Sequence, residues 1–426
     1  MLNKKKDFFI LFVIIITSIY IGYENPKIVD IPKSIIKQPK LYYKFFLNKI
    51  GLGDDIFLRE NKLSQSDLVL KNEKYNQNDE IKLNSFSLVL EKVKSFPEKA
   101  VSVIMDTNEN KEVEYNIFTQ DGFIIQKDEK TQIDLPLFYY QKQDGGIRSV
   151  IGIENEYYAL MSMKKFQCLY VSLVDLKNRK ELIKSKCLIN PKGADFGGIG
   201  GAYAILDDKI LLTIGAPEHN APDIAELSQS RDTIFGKILS INKKSLLNYN
   251  NKQVDYKIFS IGHRNPQGLV YKNNKIFSLE HGPQGGDELN KIIEGKNYGW
   301  PIVSFGTKYN DGKSYLKNKN DFISPIFTFI PAVAPTSLNK CPIELANYYK
   351  NNNCLMGLSL RAMSILIFLL DNNTDAVINV ERVLLDKRLR QFGLDKAGNL
   401  FFDKENFFYI SSEKDGLYKA KFINFR

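Results

Sequence analysis

Apolar and polar positions alternate in short bursts along most of this chain. From about residue 86, runs of β-branched and aromatic residues are broken every few positions by Asp, Asn, Lys or Gly. Examples are "SVIMDTNENKEVEYNIFTQDGFIIQKD", "SVIGIENEYYALMSM", "AYAILDDKILLTIG", "GLVYKNNKIFSLEHG" and "FGLDKAGNLFFDKENFFYISSEKDGLYKAKF". Each reads as strand, short polar turn, strand. No helical periodicity of ordinary length intervenes, which predicts an all-β array rather than alternating α/β units. Propeller blades are four-stranded sheets of roughly 50–60 residues once turns are included. The region 86–426 therefore predicts a six-bladed β-propeller, with repeats too diverged to count directly.

The pattern before residue 86 is different. Lys4 to Lys6 precede an apolar run from Phe8 to Tyr23, broken only by Thr17, Ser18 and Gly22. The run is longer than most signal-peptide cores and no small-residue cleavage site comes after it, so residues 1–25 are read as an uncleaved transmembrane signal anchor. With the lysines on the cytoplasmic side, the chain beyond residue 25 is placed on the periplasmic side of the inner membrane. The basic stretch Lys27 to Lys49 pulls against that orientation. Residues 26–85 are polar and weakly periodic, with a short amphipathic stretch at "SIIKQPKLYYKFFLNKIG", and read as a juxtamembrane linker.

Composition sharpens this only slightly. In 426 residues, 43% are hydrophobic, enough for a substantial core. The net charge of +10 is spread along the chain without a basic block, which predicts a solvated basic surface and no nucleic-acid partner. The cysteines fall into two local pairs, Cys168 with Cys187 and Cys341 with Cys354. An oxidising compartment would allow both to bridge, although four cysteines permit three connectivities.

The densest chemistry lies in "GHRNPQGL" (262–269), "EHGPQGGDELN" (280–290) and "GKNYGWP" (295–301). Three glycines and a proline beside Asp287 and Glu288 put bare carbonyls next to carboxylates, the oxygen donors a Ca2+ ion prefers, at a spacing that matches no EF-hand. Arg388 and Arg390 alternate along a predicted strand and so share a face.

These motifs resemble those of the glucose/sorbosone dehydrogenase family, six-bladed propellers that include PQQ-dependent glucose dehydrogenases and aldose sugar dehydrogenases. The resemblance covers roughly 145–426, with 86–144 as diverged first blades. "PAVAPTS", "LSLRAMSILIFLLD", "KRLRQFGLDKAGNLFF" and "GKILSI" agree with it, the last as an inner-strand motif. It implies PQQ held by Arg264, Asn265, Arg361, Arg388 and Arg390, since guanidinium groups pair in planar fashion with the cofactor's carboxylates. Arg264 would also act catalytically, stabilising the developing oxyanion. Carbonyls of Gly282 and Pro283 would hold a Ca2+ at the quinone. Asp287, Glu288 and the Tyr298 carbonyl would hold a second, structural Ca2+. Trp300 is read as turn packing, and His263 and His281 as structural hydrogen-bonders.

One element departs from the family. Its catalytic histidine stands in a His-x-Gly-Gly-Arg motif, where this chain has "DFGGIGGAYAILDDKILLTIG". One alignment places Gly198 at the histidine and Ala202 at the arginine; the other places Asp195 at the histidine. His219 and Asp195 remain as replacement bases. The resemblance thus implies a membrane-anchored PQQ-dependent dehydrogenase that oxidises an aldose or other alcohol and passes electrons to an acceptor in the membrane. The alternative is a catalytically degenerate propeller serving as an extracytoplasmic binding module.

Overall fold

The computed structural model describes residues 78–426, apart from 84, 128, 143, 190, 219–220, 251–253, 317–319 and 351–352. The expected anchor and nearly all of the linker lie outside the described residues, as does His219. Among the described residues no helix is long and apolar enough to cross a membrane. Strands begin at Asn78, within the stretch expected to be linker. That first strand, "NDEIK", is polar and pairs only at the outer edge of a sheet, so its hydrophobic signal is weak.

The fold is all-β, and its described α-helices span five or six residues each. Its strands form six antiparallel units in chain order. Unit one comprises Ala100–Thr107, Val113–Thr119, Phe123–Gln126 and Glu129–Gln132; unit two runs from Ile147–Ile153 to Lys180–Lys184. Unit three runs from Gly200–Ile205 to Tyr256–Ile261, unit four from Pro266–Lys272 to Phe327–Phe329, and unit five from Pro335–Lys340 to Val377–Leu384. Unit six combines Leu389–Leu394, Phe408–Ser412 and Gly416–Ile423 with the early strands Ser87–Lys94 and Asn78–Lys82. Pairing of Ser87–Lys94 with Gly416–Ile423 joins the two ends of the β region. A short parallel bridge, Gly393 to Val103, ties unit six to unit one.

Period-2 alternation explains how the units stack. On Ser364–Leu370 every residue is buried, and Ile365, Ile367 and Leu369 pack toward unit six while Leu366, Phe368 and Leu370 pack toward unit four. The same holds between every pair of neighbours: unit one with two, two with three, three with four, and six with one. Each sheet thus buries both faces, at about 1.5–3 kcal/mol for each fully buried large apolar side chain. A narrow cavity of about 30 Å³ takes lining residues from the first strand of all six units, which places those strands around a common axis. "GKILSI" lies on the third strand of its unit, Lys237–Asn242, not the innermost.

Both cysteine pairs are bridged. Cys168 and Cys187 have Cα atoms 5.3 Å apart, and Cys341 and Cys354 5.5 Å apart. Ile189 pairs back onto Cys168, which brings the first pair together.

Candidate active site

A second, polar cavity of about 300 Å³ lies against the same first strands. Its walls obey a simple rule. Lys99, Asp144, Asp195, Arg264 and Arg388 stand just before or at the start of a first strand; Gln120, Glu218, His281, Leu360 and Glu413 stand just past the end of a second strand. In an antiparallel pair those two positions share one end of the sheet, so six units bring their loops to one mouth. Gly215 shows how tight this end is: an added Cβ would run into the carbonyls of Gly198 and Arg264.

Cations converge there. Arg390 donates to Glu413 at 2.8 Å and Arg388 to the same carboxylate at 2.5 Å, so the alternation read from "RLR" does bring both to one wall. Burial opposes ionisation of Glu413, but Arg390 and Arg388 outweigh it and push its pKa down to about 2. Arg148, which no motif singled out, is 9% exposed and also lines the cavity. Its guanidinium donates to the Gly197 carbonyl at 3.0 Å, its Nε has no hydrogen-bond partner, and it makes no ion pair among the described residues. Burial, helped by the charge of Arg390, pulls its pKa down to about 10 against the opposing pull of Asp195 and Asp144. A buried cation without a paired carboxylate is costly unless something anionic arrives.

Arg264 is set by a buried scaffold. His263 is fully buried, with Nε2 2.8 Å from Ser260 Oγ and Nδ1 3.0 Å from Glu280 Oε2. It stacks on Tyr298 at 4.7 Å. The other Glu280 oxygen accepts the backbone N–H groups of Arg264 and Asn265. From that anchored turn the Arg264 side chain donates to the Gly282 carbonyl at 2.7 Å and pairs with Glu218 at 3.2 Å. Asn265 Oδ1 accepts from Gly200 N at 3.1 Å and Gln267 Nε2 at 2.7 Å. His281 lines the cavity with Nε2 2.5 Å from the Pro335 carbonyl, and burial lowers its pKa.

Sequence comparison matches residues 162–407, more than half of the chain, to the profile of the glucose/sorbosone dehydrogenase family. The chain belongs to this family. It is 33% identical over 153 residues to quinoprotein glucose dehydrogenase B of Acinetobacter calcoaceticus, covering 34% of this chain and 30% of that protein. It is 34% identical over 128 residues to the aldose sugar dehydrogenase YliI of Escherichia coli K12, covering 28% of this chain and 33% of that protein. The aligned stretch thus spans about a third of the length of these curated relatives. The solved soluble aldose sugar dehydrogenase of Escherichia coli, in its apo form, superposes with a TM-score of 0.60 at 17% identity, covering 78% of this chain and 99% of that one. The fold is similar to the propellers of glucose/sorbosone dehydrogenases.

Within this family member, four of the residues expected at a cofactor line the cavity: Arg264, Asn265, Arg388 and Arg390. Arg361 does not. "LSLRAMSILIFLLD" spans the turn between the strands Cys354–Ser359 and Ser364–Leu370, and Arg361 sits exposed in that turn while Leu360 takes the place on the wall.

The two positions expected at the family's histidine, Asp195 and Gly198, stand on one loop ahead of the third unit. Both line the polar cavity, whereas Ala202 lines the axial one, and Arg148 and Gln267 line both. Asp195 Oδ1 accepts from Gly197 N at 2.8 Å and caps a short 3₁₀ turn. Arg148 brings a guanidinium to this loop from the neighbouring unit.

The expected calcium ligands are only partly arranged for an ion. Asp287 accepts from Gly282 N at 2.9 Å and from Val333 N and Ala334 N at 2.7 Å each, so its oxygens clamp two loops. Glu288 stands opposite Glu280 in the strand register. Burial, then the charges of Glu280 and Asp287, push its pKa up to about 8. Tyr298 uses its hydroxyl on Lys291 O at 2.6 Å and Ile293 N at 2.9 Å. Gly282 offers its carbonyl to Arg264, and among the described residues no three His, Cys, Asp or Glu side chains form a metal cluster.

A further cavity of about 250 Å³ adjoins, sharing Glu218 and Tyr309 with the polar one. Trp300 is 5% exposed yet lines it, together with Tyr315 and Pro283.

Proposed function

We propose that this chain binds PQQ in the polar cavity and oxidises an alcohol carbon of an aldose or related sugar. The observation that carries this reading is Arg148: a buried guanidinium with an unpartnered Nε in a cavity it shares with Arg264, Arg388 and Arg390 suits a ligand bearing several carboxylates. Lys99, Arg388 and Arg390 would meet one side of the cofactor, with Arg264 and Asn265 on the opposite wall. When bound, the quinone supplies the two-electron acceptor.

The chain's own part in the reaction is proton handling and orientation. Asp195 takes the substrate hydroxyl proton at Oδ2 while its Oδ1 stays fixed by Gly197 N–H. Glu280 and His263 keep the Arg264 turn rigid, so the guanidinium that faces developing negative charge needs no reorganisation. One calcium ion would draw on the carbonyls of Gly282 and Pro283, sharing the Gly282 oxygen with Arg264, and a second on the Tyr298 carbonyl with Glu288 as its carboxylate. Asp287 is committed to backbone N–H groups and is left out of that set. We further propose that the six units form the six blades of a propeller, that residues 1–25 anchor it, and that it works on the periplasmic side with an electron acceptor in the membrane.

Reconstitution of the purified protein with PQQ and Ca2+ tests the reading. Saturable PQQ binding followed by bleaching of the quinone absorbance on adding aldose is the expected result. No binding at high PQQ concentration would overturn it, and binding without bleaching by any sugar would leave a binding module.

A further inference from the structure

The cavity beside the proposed cofactor site has its own chemistry. Trp300 and Tyr315 stand with ring centroids 5.2 Å apart, and Tyr309 completes an aromatic wall. The indole N–H of Trp300 is buried and has no partner among the described residues. Glu218, 6% exposed, forms the wall shared with the polar cavity, and Glu226 and Lys308 also line the pocket. An aromatic wall beside a carboxylate acceptor matches a polyhydroxylated ring, which presents C–H groups on its faces and hydroxyls at its edge.

A cation is the other ligand class that aromatic walls attract. Here protein cations already hold those positions: Arg264 lies 5.3 Å from the Trp300 centroid and 6.0 Å from that of Tyr309, and Lys308 lies 5.5 Å from that of Tyr315. Glu218 is likewise paired with Arg264. The pocket is thus internally compensated, and a neutral guest fits it better.

We propose that the Trp300, Tyr309 and Tyr315 pocket is a saccharide-ring site, with the aromatic wall against the sugar's C–H groups and Glu218 accepting from a sugar hydroxyl where the pocket meets the polar cavity. This rests on the proposed sugar oxidation, because it places the sugar beside the cofactor, but the pocket binds the sugar with or without PQQ.

Trp300 is the chain's one tryptophan, so its fluorescence reports the pocket directly. The full chain, free of PQQ, is titrated with D-glucose, maltose and, separately, choline. A saturable change in Trp300 emission with a sugar and none with choline is expected, and Glu218→Gln should weaken the sugar roughly tenfold, the loss expected for a hydrogen bond to a charged group. Because Glu218→Gln strips the partly buried Arg264 of its partner, Tyr315→Leu is the second variant; it should weaken the sugar without touching that pair. Emission unmoved by either sugar, a response to choline alone, or sugar affinity unchanged in both variants would overturn the site. PQQ absorbance titrated in parallel separates the two proposals. PQQ binding with silent Trp300 sinks the sugar site alone, and a sugar response without PQQ binding sinks the dehydrogenase reading alone.

Discussion

Arg148 donates to the carbonyl of Gly197 at 3.0 Å, so a side chain from the second strand unit is tied to the loop that leads into the third. That loop also carries Asp195, and the contact therefore holds the cavity's buried guanidinium against the loop that bears the proposed base.

Replacing Arg148 separates ligand binding from folding. Without PQQ, Arg148→Gln should melt no lower than wild type, because the change removes a buried charge that no carboxylate contacts directly. With PQQ, affinity should fall ten- to a hundredfold, about 1.5–3 kcal/mol for a lost hydrogen bond to a charged group. Thermal melts and absorbance titrations measure both quantities. A destabilised protein with unchanged PQQ affinity would reassign Arg148 to structure.

Asp195→Asn keeps an oxygen for the Gly197 N–H and removes the proton acceptor. Sugar-dependent PQQ reduction should drop by about 10²- to 10⁴-fold with PQQ affinity unchanged. Asp195→His should retain activity if residue 195 holds the base, and Gly198→His combined with Ala202→Arg should raise it only if the base belongs at residue 198 instead. Stopped-flow bleaching of the bound quinone distinguishes these variants.

The Glu413 pair makes stability depend on acid. Its folded pKa, about 2, lies below the ordinary value of 4.5, so the unfolded chain binds the proton first. The stabilisation is complete above about pH 4.5 and is lost as pH falls toward 2. Glu413→Gln should therefore melt below wild type at neutral pH, and the gap should narrow across that window. A gap of constant size from pH 7 to pH 2.5 would show that the ion pair with Arg388 and Arg390 contributes nothing.

Asp287 and Glu288, adjacent in sequence, should behave differently toward calcium. Asp287→Ala strands three backbone N–H groups and should cost roughly 2–5 kcal/mol in calcium and in chelator alike. Glu288→Gln should matter only when calcium is present. If the ion binds with a hundredfold excess over its Kd, wild type gains about 2.7 kcal/mol that this variant lacks. Melts in calcium and in EDTA decide the matter, and a wild-type melting temperature indifferent to both would remove the ion from the account.

The sequence alone determined the all-β class and the shared wall of Arg388 and Arg390, and it favoured the local cysteine pairing that the structure then made definite. Each rests on spacing of a few residues, where strand alternation or loop length dictates who meets whom. It also located the segments that build the Arg264 turn, because their glycines, proline and carboxylates are adjacent in the chain. Tertiary structure decided the rest. Arg148 meets a carbonyl 49 positions away, and Glu218 meets Arg264 from another unit. Arg361 falls off the cavity wall because it stands in a four-residue turn between two buried strands, and Asp287 leaves the ion's ligand set because backbone N–H groups of a distant loop claim its oxygens. A period of two fixes which face a side chain takes within its own sheet. Which neighbouring loop stands opposite depends on how six units close around one axis, and no local pattern encodes that distance.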